Sequence, residues 1–409
     1  MLAIGAAFWQ LALELRLFAG RCFYPFDIDW LESSALYQAF RHGHFQSTYG
    51  SPDAGYMALF HPPGYPMVLG LLGRVVGLDY PMARALSLLF FLAMGALLVR
   101  EARRHRSDDR LGGWVDGALI FGCLAAAVPL CGSYFDLVRE DTMSMVLCVL
   151  LASRAMPPRW TPWRITVFAT LVMAVVFTRL PAVFMPVWVV IFVFVRDRRA
   201  GVRLAVASVA ACGLALVAML FESKGWYWFL TISVLAKHEV AGWRAVEGLV
   251  LLLRFAPFLA VIALLTVVLA VTRRLSARGA LWFGLLVASM PASLLPYAKY
   301  GGFINDVMPL CVFYGPVSLF VLADAVRAFP AGPAWRAGLG AAYQLLLAGF
   351  LLARTWDPSA YLPTNDHWRR ARLLNERVRK LASTGVLAPR HPFLPIRHDP
   401  KTRQFSEMP

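Results

Sequence analysis

Three carboxylates, Asp27, Asp29 and Glu32, follow directly on the first apolar segment, within FYPFDIDWLESSALYQAF at residues 23–40. A carboxylate in hydrocarbon is costly, but one at the edge of a helix bundle can face a wet cavity. There it can take the proton from an acceptor hydroxyl or amine as that group attacks. The same spacing has a structural reading. Asp29 as N-cap with Glu32 at the third helical position makes a capping box. The two roles are compatible, since a cap also fixes the direction of a carboxylate. Asp29 is the first candidate base, with Asp27 and Glu32 behind it.

The elements that must position these acids are apolar helices. The chain has 409 residues, 59% hydrophobic and only 16% charged, against about 25% charged in soluble domains. Its mean hydropathy is +0.60. Apolar runs near membrane-spanning length recur, so the expected class is an all-α, multi-pass transmembrane bundle. The runs read as about eleven spans, near 2–20, 82–99, 113–130, 141–155, 165–179, 182–195, 202–221, 249–271, 280–297, 307–326 and 337–354. The short alternating strands of a membrane barrel are not seen. The N-terminal run lacks a leading basic region and reads as a retained helix.

The net charge of +16 falls largely in short connections between the runs, at 100–110, 154–164, 196–203, 273–278 and 327–336. All five lie on one side of the expected topology, the cytoplasmic side by the positive-inside bias. No nucleic-acid partner is implied. Residues 21–81, the first outer loop of a membrane region spanning 1–354, and the tail 355–409 then lie outside. In the long outer segment, WLESSALYQAFRHG carries a helical stripe of Leu31, Ala35, Leu36, Ala39 and Phe40 that Gly43 ends. HPPGYPMVLGLLGRVVG is a second short apolar stretch. Two interfacial helices fit both. In the tail, DHWRRARLLNERVRKLAS is amphipathic, either a membrane-surface helix or the first helix of a small soluble unit. The following GVLAPRHPFLPI reads as strand and loop. Six scattered cysteines form no CxxC pair, which argues against a zinc or redox site.

Sidedness isolates a second group of residues. Arg139, Arg179, Lys224, Lys237, Arg244 and Lys299 fall outside or at outer helix ends, against the positive-inside trend. Cations in an apolar setting need an anion, and arginine matches the geometry of phosphate. FDLVREDT sets Arg139 beside Glu140 and Asp141, either as a local salt bridge or as a substrate contact. FTRLPAV sets Arg179 in a tight turn. LAKHEVAGW offers Lys237 and His238. In YAKYGGFINDVMP, Gly301 and Gly302 allow close backbone approach before a helix start that favours phosphate. Lys299 and Asn305 stand beside them, and Asp306 reads as a cap. Trp226, Tyr227, Trp228 and Trp243 fit an interfacial aromatic belt. No metal-ligand cluster is evident, so no cofactor is expected, with a divalent metal left open.

Taken in chain order, DIDWLES, FHPPGYPMVLGLLG, FDLVREDTMSMVL, LAKHEVAGW and YGGFINDVMPL resemble the GT-C glycosyltransferases. The likeness is to the family 39 type, relatives of protein O-mannosyltransferases and the lipid A aminoarabinose transferase. It covers most of the membrane region. It implies a bacterial inner-membrane enzyme that moves a sugar from a polyprenyl-phosphate donor, at a site facing the periplasm. The acceptor is an unspecified glycan, lipid or protein. Asp29 or Asp27 would be the base of an inverting attack. His61, Arg139, Asp141, Arg179, Lys237, His238, Lys299 and Asn305 would bind the donor phosphate or substrate. His61 stands where relatives often carry lysine. A transporter or lipid flippase would use similar residues, but should show inverted repeats and mid-membrane charges. No repeat is seen. A non-catalytic assembly partner of the same fold is the third reading. The enzyme reading requires acids and cations from distant segments to meet in a single pocket.

Overall fold

The computed structural model describes residues 1–51, 60–330, 332–382 and 388–401. Among them the chain is helical, and its one β-type pairing is an isolated bridge between Val240 and Lys299. The helices are α1 (Leu2–Cys22), α2 (Trp30–Gly43), α3 (Gly64–Val76), α4 (Tyr80–His105), α5 (Arg110–Ala126), α6 (Glu140–Ser153), α7 (Pro162–Thr178), α8 (Phe184–Arg196) and α9 (Arg198–Glu222). They continue with the single turn α10 (Trp226–Trp228), α11 (Gly242–Phe255), α12 (Leu259–Val271), α13 (Ala277–Ala298), α14 (Met308–Ala328), α15 (Pro333–Ala353), α16 (Asn365–Leu381) and α17 (Phe393–His398).

Each expected apolar run is helical, but not each is a full span. Among the described residues, seven helices are long and apolar enough to cross a membrane, and an eighth crossing is made if α11 and α12 count together. Those two meet at 91°, where one run over 249–271 is expected. Pro257 lies between them, and proline both removes a backbone donor and pushes its predecessor out of the helical region. α7 and α8 are shorter apolar helices, and α6 has 14 residues. The count of eleven therefore does not carry over from the runs.

α14 is the central post. Its candidate span from Ile304 to Ala328 is 89% buried, whereas that of α9 is 11% buried and faces outward. An outward apolar surface on such a helix is what lipid requires. Most charges collect at the two ends of the bundle, although Glu14 is buried midway along α1. At one end, connections expected to share a side do touch. Arg100 donates to Ser153 Oγ at 3.0 Å, Arg278 pairs with Glu101 at 3.3 Å, and Arg274 donates to the Ala328 carbonyl at 2.6 Å. The acidic segment 23–29 lies at the opposite end.

At that end α2 and α3 pack closely as a pair. A methyl group on Gly70 would lie 2.2 Å from the Ala39 carbonyl oxygen, so the glycine permits the approach. The tail sits on the same end. The apolar face of α16 (Trp368, Ala371, Leu374 and Val378) packs on Tyr24, Phe26 and Ile28. Most of the apolar stripe on this helix thus packs on protein, while Leu381 at its end stays exposed. Residues 383–387, where a strand is expected to begin, lie outside the described residues, and Phe393–His398 beyond them is helical. The tail is tied down by Phe393 N–H to Ser33 Oγ at 3.0 Å and by Arg397 to Asp79 at 3.1 Å.

Candidate active site

The capping box forms as its spacing requires. Asp29 accepts from Leu31 N–H at 3.3 Å, and Glu32 accepts from Ile28 and Asp29 N–H at 2.7 and 3.4 Å. Beyond the cap the two acids part. Glu32 is fully buried and clasped by Arg84, which donates to its two oxygens at 3.0 and 2.7 Å. Val138 N–H adds a further bond at 3.0 Å. Arg84 also binds the carbonyls of Arg21, Tyr24 and Phe26. This pair pins the end of α1, the acidic loop, α2 and α4 together. Glu32 lines neither cavity described below. Sequence reasoning missed Arg84, whose signal is a cation one turn into α4, at the end opposite the basic cluster of Arg100, Arg103 and Arg104.

Asp29 lies at the wall of a cavity of about 500 Å³. Its Oδ1 accepts from the Tyr134 hydroxyl at 3.2 Å and its Oδ2 from Arg139 at 3.0 Å. Burial pushes its affinity for a proton above that of an ordinary aspartate; Arg139 opposes that but does not cancel it. Asp27 lines the same cavity, 2.5 Å from Nδ1 of His391 on the tail. Burial raises its pKa to about 6 although His391 opposes the rise. Arg21, Tyr24, Tyr80, His367 and Arg370 complete a polar and aromatic wall.

Arg139 lines a second cavity, of about 410 Å³. His61, Arg179, His238, Lys299, Asn305 and Asp306 border it, with apolar walls from Leu180, Phe184, Leu235 and Leu295. Its cations are held by a relay of acids. Arg139 pairs with Asp141 at 3.2 Å. Arg179 pairs with Asp141 and, at 2.5 Å, with Asp306. His61 pairs with Glu140 at 2.8 Å. Asp141 is wholly buried behind the wall and also accepts from Asn305 at 3.3 Å. Lys299 instead donates to the Leu235 carbonyl at 3.0 Å. The strand-like bridge of Val240 to Lys299 holds the LAKHEVAGW segment against YAKYGG. Gly301, at φ +82°, makes the turn that follows.

The sequence candidates therefore gather, with two corrections. Acids and cations from distant segments do meet, but at two cavities rather than one: Asp27 and Asp29 border the first, Arg139, Arg179 and Lys299 the second, and the Asp29–Arg139 pair joins them. Lys237 is exposed and lines neither cavity, while its neighbour His238 does. Lys237 ends the short helical turn Leu235–Lys237, and the chain turns extended at His238, so the two side chains leave the backbone in different directions. Tyr134, His391 and the Arg21–Asp136 pair at 2.8 Å are site components that motif reading passed over. Among the described residues, no group of three or more His, Cys, Asp or Glu is placed to hold a metal ion.

A bundle with membrane-length apolar helices, with the short α2 and α3 and two cavities at one end, has the arrangement of the GT-C fold, a likeness that rests on solved structures. Among solved structures, the fold is similar to that of ArnT from Cupriavidus metallidurans. With undecaprenyl phosphate bound, that protein superposes at a TM-score of 0.60 and 11% identity, over 95% of this chain and 84% of that chain. Its apo form gives 0.54 and 13% over the same shares. No protein-family model and no curated protein sequence matches the chain.

Proposed function

We propose that this protein is a membrane glycosyltransferase that takes a sugar from a polyprenyl-phosphate donor at the extracytoplasmic face of a bacterial inner membrane. The observation that carries the reading is the Asp29–Arg139 pair. It stands where a carboxylate-bearing polar cavity meets a cation-bearing apolar one. The fold shared with ArnT, whose structure binds undecaprenyl phosphate, supports it.

The apolar walls of the smaller cavity suit an isoprenoid tail, and Arg139, Arg179 and Lys299 suit its phosphate. The other cavity receives the acceptor, a hydroxyl or amine. Asp29 takes the acceptor's proton, the acceptor attacks the anomeric carbon on the face opposite the phosphate, and the configuration inverts. The cations stabilise charge gathering on the leaving phosphate, the kind of electrostatic term that dominates such barriers. The test is transfer from a labelled polyprenyl-phosphate sugar in membranes holding wild type or Asp29→Asn. Loss of transfer in the variant is expected; equal transfer by both removes Asp29 as base.

A further inference from the structure

We infer that Arg139 is a lock on Asp29, opened when a phosphate enters the basic cavity, so that donor binding switches the base on. This rests on the proposed donor chemistry. In the present structure Asp29 has no oxygen free of a donor: Tyr134 holds Oδ1, and Arg139 with Leu31 N–H holds Oδ2. A base needs a lone pair aimed at the acceptor, and a guanidinium on the same oxygen lowers its pull on a proton. Of the other nearby carboxylates, Glu32 is engaged by Arg84 and backbone and Glu140 by His61, so neither competes for Arg139.

Arg139 is built to change partners. It is shared between Asp29 on the acceptor side and Asp141 behind the donor wall. It lines the donor cavity, and Asp29 does not. A phosphate there offers paired oxygens and at least the charge of a carboxylate. Exchanging Asp29 for phosphate leaves Arg139 still held by Asp141, so no buried guanidinium is stranded, which would otherwise be costly. Lys299, tied to a carbonyl rather than a carboxylate, is the cation that meets the phosphate first. The order of binding follows: donor, then a competent base, then acceptor. Arg139 is thus a positioning residue for Asp29 as well as a phosphate contact.

A hydrophobic carbodiimide modifies protonated buried carboxyls, and peptide mass spectrometry reads the modification at Asp29. The full chain in detergent is treated with and without undecaprenyl phosphate, and thermal shift reports whether the lipid binds. Wild type should label weakly alone and at least about fivefold more with lipid, a factor that corresponds to about 1 kcal/mol. Arg139→Gln should label at the high level without lipid. Arg139→Lys, which keeps the charge, should label weakly and respond to lipid. Asp27, paired to His391, should not respond. Unchanged Asp29 labelling while the lipid binds, or an Arg139→Gln variant that labels like wild type, overturns the lock. If the lipid does not bind, the donor reading fails, and the Arg139→Gln arm alone decides whether Arg139 suppresses Asp29.

Discussion

Two buried ion pairs leave the same turn of helix and do different work. Glu32 and Arg84 satisfy each other, and five donor groups in all reach the carboxylate. Asp29 and Arg139 are equally close, yet each partner also faces space that another molecule can fill. The lesson is that burial of an ion pair says little about its role until the surroundings of each partner are known. A saturated pair fixes the chain; a pair at a cavity wall can exchange.

The sharpest way to break this contrast is to remove one partner of the closed pair. Glu32→Ala strands Arg84 among carbonyls beneath the acidic loop, at a cost of about 3–5 kcal/mol. Folded protein recovered after size-exclusion chromatography should fall to a small fraction of wild type. Recovery at wild-type levels would place Glu32 with the exchangeable groups instead. Asp29→Asn should leave folding intact, because asparagine caps a helix as well as aspartate does. Sugar transfer should nonetheless fall by about 10²–10⁴, the range for losing a general base, with the unfolding midpoint near that of wild type.

Lys299→Gln should have an intermediate effect. It removes one charge from the donor cavity but no carboxylate partner, so the apparent affinity for undecaprenyl phosphate should weaken by roughly tenfold, within the range for a charged hydrogen bond. A change in turnover at saturating donor with no change in affinity would contradict that role. The smallest effect concerns Asp27. Its pKa is raised to about 6 by burial, above the unfolded value. Its contribution to stability is therefore full below the unfolded pKa and is lost as pH rises through about 6. Asp27→Asn should be more stable than wild type at pH 7.5, by at most about 3 kcal/mol at ~1.4 kcal/mol per pKa unit. That advantage should shrink on going to pH 5, followed by thermal unfolding in detergent. A pH-independent difference would mean that the His391 contact, not the charge, controls this corner.

The helices were legible because composition and run length report burial in lipid directly. So was the capping box, since Asp29 and Glu32 interact within one turn. Sidedness drew out Arg139, Arg179 and Lys299 because a cation on the outer side runs against a strong bias. What the sequence hid were relations between distant segments. Nothing near Arg84 announces that it grips Glu32, a carbonyl at the end of α1 and two on the acidic loop. The stripe on α16 reads the same whether lipid or Tyr24 and Phe26 cover it, because both are apolar. Pro257 was visible, but a continuous apolar run around it reads as one span. The division into two cavities depends on which way Asp29 and Arg139 point, and spacing along the chain does not encode that.

The contact between His391 and Asp27 joins positions 364 residues apart. Loop closure over such a separation comes late in folding, and during synthesis the N-terminal parts emerge first. The cavity bordered by Asp27 and Asp29 therefore gains the wall that His391 supplies only after α1 to α15 have been made. A nascent chain that has reached only α15 would carry its acidic loop uncovered, with this cavity open on the side that the tail later closes.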